Sequence, residues 1–413
     1  MLENIPSDVG RAEQGLGRNR DHVRQHNLST ILTLLHREGA LSRSVLTQRT
    51  SLNRSTISDL VSELESLGLA TEAPTVSGGG AGRPSILVRP SDSVVAFAVA
   101  IDIDAISVAA IGLSGHKISL KKRRTPDAPA VGTAVVVIRD LISQLKSELG
   151  AGIRIAGVGV AVPGQVRQED GLVRQADFLN WREAHLAERL ENEINLPVFI
   201  DNDARLGLRA EHEFGSGRDL TDVVYLIGRS AGVGGGAIVG GRPLSGTSGY
   251  GGDLGLIRIS EGPLIQLSGH PGTLADLIQR DELLDATSLS DADDPTLLDY
   301  VRDHPSSRIR RVITAQVDAL ALGISSLINL FNPQAVILAG YLSILHALDA
   351  ERLRERISLS ALSHSLDDVH IIAVPVSSSR LLIGAAELPF GPLLNAPGVF
   401  TFRNPTSLRA ISD

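Results

Sequence analysis

The sequence predicts an α/β protein in two parts, a small helical N-terminal unit and a larger body of alternating strands and helices. The chain has 413 residues, which is too many for one ordinary domain. Hydrophobic residues make up 43% of it and aromatic residues only 3%, as is typical of a large aliphatic α/β core. The 41 glycines fit a fold with many tight turns between strands and helices.

The composition also excludes several classes of protein. No apolar run approaches the roughly 18 residues that would cross a membrane, and the polar N-terminus lacks the apolar stretch of a signal peptide. The chain contains no cysteine, which excludes disulfides and thiolate metal ligands. We therefore expect a cytoplasmic protein that has no cofactor and no membrane partner.

Charge is distributed unevenly along the chain. The whole chain has a net charge of −8 at pH 7, but its first 90 residues contain 10 Arg, no Lys and 9 acidic residues. This N-terminal part therefore has a net charge of +1, and the remainder has −9. An arginine-only head on an acidic body fits contact with DNA at one end of the protein only.

The N-terminal part has the elements of a winged helix-turn-helix. Residues 1–20 are polar and show no helical period, so we expect a flexible arm there, which either reaches DNA phosphates or has no role. Residues 21–92 show three helical segments, a short turn between the second and third, and two strands joined by a glycine-rich loop. The expected bounds are Val23–Gly39, Arg43–Gln48 with Ser42 as its cap, Arg54–Gly68, Leu69–Glu72 and Pro84–Val88.

In a winged helix-turn-helix, the first turn of the third helix meets the base edges in the major groove. Here that turn carries short polar residues and an arginine, all off the apolar face of the helix: Asn53, Arg54, Ser55, Thr56 and Ser58. Ser55 and Thr56 can instead serve only as helix caps, and Arg54 can read guanine or pair with phosphate. We expect Arg43 at a phosphate. Arg83, between Gly82 and Pro84, is expected in the minor groove or in a plain turn.

Residues 93–413 alternate between strands and helices to the C-terminus, which is the α/β pattern. The clearest strands are Val95–Ile101, Ile106–Leu113, Ile155–Val162, Val198–Ile200, Val223–Ile227, Ala237–Val239 and Ala335–Leu338. The clearest helices are Ala134–Glu148, Glu183–Glu193 and Ile309–Leu330.

Several segments of the chain resemble the ROK family of repressors and sugar kinases, and they follow one another in the family's order. In the N-terminal part these segments are Ser42–Leu46, Gly68-Leu69 and Gly82-Arg83-Pro84; in the body they are Gly157–Gly164, Asn180-Trp181, Pro197–Ala204 and Gly232–Gly236. The last of them resembles the family's phosphate-loop glycines. The resemblance implies a two-lobed, actin-like ATPase (ROK sugar-kinase-like) domain, with a sugar cleft between its lobes, and a homodimer or homotetramer.

The sequence departs from the family's kinases where ATP phosphates would bind. Those kinases begin the domain with Asp-x-Gly-Gly-Thr, whereas this chain has Asp102–Ile106, without the glycines and the threonine. Asp104 adds negative charge there, a repulsion of about 1–4 kcal/mol per charge pair at about 4 Å. Ala231 replaces the hydroxyl residue expected before Gly232. We therefore expect no kinase activity and no catalytic residues.

By the same resemblance, we expect the effector to contact Asn180, Asn202, Asp203 and Asp253. Asp203 matches the family's general base, and Asp253 replaces a glutamate that is one methylene longer. The alternative is that Asp203 only caps a helix starting at Ala204. The family's zinc loop corresponds to residues 266–275, where every ligand is replaced, so we expect no metal.

These features predict a sequence-specific transcription regulator that binds a double-stranded DNA operator. We expect a repressor of carbohydrate-related genes that responds to a sugar or a sugar phosphate. Two alternatives stay open, namely a regulator of this family that no longer senses a sugar, and an active sugar kinase.

Overall fold

The computed structural model describes residues 16–74, 86–230, 232–260, 271–289, 292–375 and 380–403. These residues form two compact units. The first includes the described residues up to Ser91, together with residues 391–401. The second includes the described residues from Asp92 to Phe390, together with Phe402 and Arg403.

The first unit consists of three helices and a small antiparallel sheet. The helices are α1 (Leu16–Glu38), α2 (Arg43–Thr50) and α3 (Arg54–Ser66), and the strands are β1 (Leu41–Ser42), β2 (Ala70–Pro74) and β3 (Ile86–Pro90), in the order β1-β3-β2. Apolar residues at three- and four-residue spacing put one face of α1 and one face of α3 into the core. From α1 these are Leu28, Ile31, Leu32 and Leu35, and from α3 they are Ile57, Leu60, Val61 and Leu64.

The start of α1 differs from the sequence prediction. The helix begins at Leu16 and not near Val23, so residues 16–20 are helical and the expected arm over residues 1–20 is too long. Asp21, His22 and Val23 are exposed, and a helical turn with no buried face carries no apolar period that a sequence pattern can detect. Residues 1–15 lie outside the described residues.

The predicted cap of α2 is confirmed. The Ser42 hydroxyl accepts a hydrogen bond from the Val45 backbone N–H at 3.3 Å. The helix then runs to Thr50, two residues further than predicted, and ends at Ser51, which has a left-handed backbone. The short strand β1 was not predicted, because two residues paired with β3 are too few to show an alternating pattern.

The second unit contains two five-stranded sheets, one in each of two lobes, and the expected α/β architecture is confirmed. Its strands are β4 (Val94–Ile101), β5 (Ala105–Gly112), β6 (Lys117–Arg124), β7 (Arg154–Val162), β8 (Gln165–Arg167), β9 (Leu172–Ala176), β10 (Trp181–Ala184), β11 (Val198–Asn202), β12 (Val223–Arg229), β13 (Gly232–Val239), β14 (Arg242–Pro243), β15 (Ala335–Gly340) and β16 (His370–Ala373). The N-terminal lobe has the order β11-β7-β4-β5-β6 and the C-terminal lobe has β14-β13-β12-β15-β16, while β8, β9 and β10 form a third, small sheet.

Helices cover both lobes. They are α4 (Val131–Glu148), α5 (Leu186–Ile194), α6 (Asp203–Phe214), α7 (Leu274–Leu277), α8 (Arg280–Thr287), α9 (Asp294–Asp303), α10 (Ser307–Phe331), α11 (Tyr341–Ser360), α12 (Ser363–Leu366) and α13 (Arg380–Asn395). Within the described ranges, α10 alone is long and apolar enough to cross a membrane. Its buried face, which includes Val317, Leu320 and Ile324, packs into the core of the C-terminal lobe, so we interpret α10 as a core helix.

The parallel strands position the functional residues. In the N-terminal lobe β4, β7 and β11 are parallel, and in the C-terminal lobe β12, β15 and β16 are parallel. Their carboxyl ends therefore lie at one edge of each sheet, which is where α/β folds place ligands. Asp102 follows β4, Asp203 follows β11, and Arg229 ends β12.

The glycine run over residues 232–236, which resembles the family's phosphate-loop glycines, lies within a strand. It forms the first part of β13 and pairs with β12. A Cβ on Gly234 would lie 3.0 Å from the Cβ of Ala204, and one on Gly235 would lie 2.8 Å from the Cβ of Leu254. The glycines are needed here because neighbouring segments pack directly against the strand backbone.

Candidate functional site

A cavity of about 570 Å³ lies between the two lobes, at the carboxyl ends of β4, β12 and β15. This volume falls within the range of pockets that hold small molecules. Its wall carries charges of both signs, among them Asp104 and Lys122 from the N-terminal lobe and Arg229 and Arg280 from the C-terminal lobe. The cavity is therefore large enough for a ligand and is strongly polar.

Arg229 lies between two carboxylates at the wall of this cavity. Its Nη2 and Nε donate to Asp102 Oδ2 at 2.6 and 3.2 Å, and its Nη1 donates to Asp203 Oδ2 at 3.1 Å. The three side chains are mostly buried, with 13% of Arg229, 19% of Asp102 and 8% of Asp203 exposed. Sequence reasoning missed Arg229. The sequence feature that could have identified it is a charged residue at the end of an otherwise apolar strand.

The three charges shift one another's protonation. Burial raises the pKa of Asp203 to about 6; Arg229 opposes that rise, and Asp102 and Asp253 add to it. Burial also acts to raise the pKa of Asp102, but the charge and hydrogen bonds of Arg229 hold it below its usual value. Burial acts to lower the pKa of Arg229, and the two carboxylates outweigh it and raise that pKa. One cation thus faces two carboxylates. It lowers the pKa of Asp102 below its usual value, whereas the pKa of Asp203 stays raised.

Asp203 does not cap helix α6, so that alternative is wrong. The helix begins at Asp203, and its cap is Asn202, whose Oδ1 accepts from the Arg205 backbone N–H at 3.1 Å. The Asn202 amide also donates to the Gly164 carbonyl at 3.0 Å. Asp203 Oδ1 accepts from the Ala204 backbone N–H at 2.8 Å, which leaves its Oδ2 facing Arg229.

A second and much smaller cavity, of about 10 Å³, lies beside Asn202 and Asp253. Gln165 Nε2 donates to Asp253 Oδ2 at 3.4 Å. The Arg205 side chain fills the adjoining space and donates to the Gly249 carbonyl and to Asp201 Oδ1, while its Nε is buried without a partner. The space that remains is about that of one water molecule. Two of the predicted effector residues thus meet here in a closed arrangement.

Asn180 lies apart from the other predicted effector residues. It ends the short 3-10 turn Asp177–Leu179 with a positive φ of 54°, it is exposed, and neither of the two cavities includes it in its lining. The structure therefore places Asn202 and Asp253 together, connects Asp203 to the large cavity through Arg229, and leaves Asn180 separate.

The segment that corresponds to the zinc loop is described only in part. Residues 266–270 and Ala231 lie outside the described residues. Thr273 caps α7 by accepting from the Asp276 backbone N–H at 3.2 Å, and Leu274 is buried. Within the part of the chain that the structure describes, no three His, Asp or Glu side chains lie close enough together to hold a metal ion.

Arg43 makes its contacts inside the first unit. Its Nε donates to Glu72 Oε1 at 2.6 Å and its Nη1 donates to Ser58 Oγ at 2.9 Å. These contacts connect the start of α2 to α3 and to β2. The guanidinium is about a third exposed, and Ser58 is partly buried beneath it.

The first turn of α3 is capped by Asn53, and not by Ser55 or Thr56 as the alternative proposed. Asn53 Oδ1 accepts from the Thr56 backbone N–H at 2.8 Å and from the Ser55 hydroxyl at 2.7 Å. Arg54 is exposed and forms no ion pair with any described residue. Arg83 and its neighbours Gly82 and Pro84 lie outside the described residues.

Comparisons with known proteins match most of the chain. Residues 97–389 match the sequence model of the ROK family. A xylose repressor of Caldicellulosiruptor bescii is 24% identical over 396 residues, which are 92% of this chain and 99% of the repressor. A glucokinase of Thermotoga maritima is 28% identical over 298 residues, which are 67% of this chain and 92% of the kinase.

Among solved structures, this chain is similar to a ROK family transcriptional regulator that is a homologue of the E. coli MLC protein. The TM-score is 0.71 at 22% sequence identity, over 91% of this chain and 98% of that one. This likeness concerns the fold, and it includes the N-terminal unit as well as the two lobes.

Proposed function

Because this chain belongs to the ROK family, we propose that it is a DNA-binding transcription regulator, a repressor of carbohydrate-related genes that responds to a sugar or sugar phosphate. The xylose repressor and this chain align over almost their full lengths, N-terminal unit included. The glucokinase aligns with only two thirds of this chain. The extent of the match therefore favours the regulator.

The observation that carries this proposal is the exposed, polar first turn of α3 on a helix-turn-helix unit. We take α1 to α3 with β2 and β3 as a winged helix-turn-helix, in which α3 enters the major groove. Arg54 then faces DNA with Ser55 and Thr56, while Asn53 holds the start of the helix. Arg83 in the wing is kept as a proposed minor-groove contact.

Arg43 and Ser58 have a different part in this proposal. Their mutual hydrogen bond and the ion pair of Arg43 with Glu72 fix the angle between α2 and α3. We assign them to the positioning of the reading helix, and the exposed edge of the Arg43 guanidinium stays available to a phosphate.

Kinase activity is not part of the proposed function. A general base must be free to accept a proton from a sugar hydroxyl, but Asp203 is paired with Arg229 in this structure. Asp102 is held by the same guanidinium, at the turn where the kinases need glycines. The glucokinase relative and the near-neutral pKa of Asp203 favour the kinase as the second candidate.

The effector is proposed to contact Asn202, Asp203 and Asp253. A contact with Asn180 would also require the residues around it to move. Carboxylate and amide oxygens suit sugar hydroxyls as acceptors. The small volume beside Asn202 supports the competing view that this regulator no longer senses a sugar. Ligand binding therefore requires Arg205 or the Gln165–Asp253 contact to shift.

A binding experiment on the full chain tests this function. An operator is first selected from a random DNA library, and its affinity is then measured by fluorescence anisotropy with and without xylose, glucose and their phosphates. We expect operator binding with a Kd of about 10⁻⁸–10⁻¹¹ M, weakened by one of the sugars. Absence of any selected sequence would overturn the regulator. ATP-dependent phosphorylation of a sugar would establish the kinase, and an operator complex indifferent to every sugar would favour lost sensing.

A further inference from the structure

Two polar bridges connect the lobes of the second unit, and each involves a carboxylate of the proposed effector site, Asp203 or Asp253. Arg229 of the C-terminal lobe reaches Asp102 of the N-terminal lobe, and it also holds Asp203. Gln165 of the N-terminal lobe reaches Asp253 of the C-terminal lobe. The first bridge is the stronger one, because its shortest contact is 2.6 Å and charged, whereas the second is 3.4 Å and has one charged partner.

The geometry of the Arg229 side chain suits a bridge between two carboxylates. A guanidinium has five N–H donors in a rigid fork, and here three donating nitrogens bind two carboxylates that approach from different segments of the chain. Asp102 follows β4 in the N-terminal lobe, and Asp203 begins α6. Removal of one member of a buried ion pair leaves an uncompensated charge and is strongly unfavourable.

The loss of Arg229 would leave Asp102 and Asp203 facing each other without a cation between them. Lys122 also acts on Asp102, but it is exposed and forms no hydrogen bond with that carboxylate that would replace the contacts of Arg229. Mutual repulsion would then favour rotation of the carboxylates or separation of the lobes.

We propose that Arg229 is the positioning residue of the effector site, which holds Asp203 in place and fastens it to Asp102 across the cleft. This inference rests on the proposed function, since it assigns Asp203 to the effector. An effector hydroxyl that binds Asp203 then acts on the same guanidinium that closes the lobes. Ligand capture and the relative position of the lobes are thereby linked through one side chain.

Two backbone amides report directly on the carboxylates. The Ile103 N–H donates to Asp102 Oδ1 at 2.9 Å, and the Ala204 N–H donates to Asp203 Oδ1 at 2.8 Å. Their hydrogen exchange slows only while the carboxylates keep these positions. Peptide-level exchange over residues 100–106 and 200–208 therefore measures whether Arg229 holds both groups.

The test compares three variants of the full chain. Arg229→Met removes the charge and keeps the length of the side chain, and Arg229→Lys restores a charge. Arg280→Met is the matched control, because Arg280 is about as buried as Arg229 and its hydrogen bonds, to Asp294 and to the Ala292 carbonyl, lie within the C-terminal lobe. We expect Arg229→Met to speed exchange of both peptides by about tenfold or more. Arg229→Lys should recover most of the protection, and Arg280→Met should leave both peptides as in the parent.

Lobe position is measured separately with fluorescent labels. The chain contains no cysteine, so Lys117→Cys and Ser326→Cys give one exposed labelling site in each lobe without further changes. Energy transfer between the labels should fall in Arg229→Met and return in Arg229→Lys. A purely structural role for Arg229 would lower the melting temperature without this dependence on charge.

Parent-like exchange and energy transfer in Arg229→Met would overturn the proposal. If Arg229→Met does not fold, Asp102→Asn removes the charge that attracts Arg229 to the end of β4 and leaves a balanced Arg229–Asp203 pair. It should then lower energy transfer while residues 200–208 stay protected; unchanged transfer would equally overturn the proposal. The experiment uses neither DNA nor sugar, so failure of the proposed function would show as absent operator binding and would leave these readouts intact.

Discussion

Replacement of Arg54 by alanine should change DNA affinity without changing the stability of the fold. The side chain is exposed and has no ion pair with a described residue, so its loss should change the free energy of unfolding by no more than about 0.5 kcal/mol. The effect on DNA binding depends on which group of the DNA the guanidinium meets, and the two possibilities differ in magnitude and in salt dependence.

If Arg54 reads a base, its loss costs about 1–3 kcal/mol on the selected operator, which is roughly a 5- to 150-fold weaker Kd. Random DNA would then be bound as before. If Arg54 pairs with a phosphate, affinity falls for every sequence, and the slope of log K against log salt decreases by about 0.9. Between 50 and 200 mM salt, the ratio of parent to variant affinity would then change about 3.5-fold.

Anisotropy titrations of operator and random DNA at both salt concentrations distinguish these outcomes. The control is Arg24→Ala, which removes the same charge from α1, where Arg24 pairs with Glu63. We expect a larger loss for Arg54→Ala than for Arg24→Ala on the operator. A variant that binds both DNAs like the parent at both salt concentrations would refute the placement of α3 in the groove.

Three further predictions concern the fold, the cleft and the assembly. Arg43→Ala should lower the free energy of unfolding in urea by about 1–2 kcal/mol, because it breaks the contacts to Glu72 and Ser58; an unchanged midpoint with a smaller salt slope of DNA binding would instead indicate a phosphate contact. The folded pKa of Asp203, about 6, lies above its unfolded value, so its contribution to stability falls as pH rises from about 4 to 6. The stability of the parent minus that of Asp203→Asn should therefore drop by up to ~3 kcal/mol over this window, and a constant difference would contradict the raised pKa. Light scattering should return at least a dimer, since helix-turn-helix proteins read two half-sites about one DNA turn apart; a monomer with and without operator would count against this.

The elements that sequence patterns predicted well are those with one continuous buried face. Strands such as β4 and β7 are buried on both faces and read as apolar runs, and α10 shows a clear helical period. Strand β6 was missed because its residues Lys117–Arg124 alternate between exposed and partly buried positions and carry five basic side chains. The predicted start of α5 at Glu183 was early, because Trp181–Ala184 forms β10.

The charged contacts were beyond the reach of local patterns. Arg229 lies 127 residues from Asp102 and 26 from Asp203 in sequence, so no spacing rule connects them. Arg43 likewise meets Glu72 across a separation of 29 residues in sequence. The resemblance to the family identified the two aspartates but not Arg229, which lies outside the segments that carry the resemblance.

The close packing at β13 bears on how chains of this family are sorted. Glycines at 234 and 235 are required by the backbone-to-side-chain distances around the strand, whether or not a nucleotide ever enters the cleft. The glycine run alone therefore does not distinguish a kinase from a regulator. In a screen for loss of repression, substitutions at these glycines should emerge as folding defects that respond to lower growth temperature. The turn that begins at Asp102 is the more informative position for such sorting, because Asp102 pairs with Arg229 at the cavity wall.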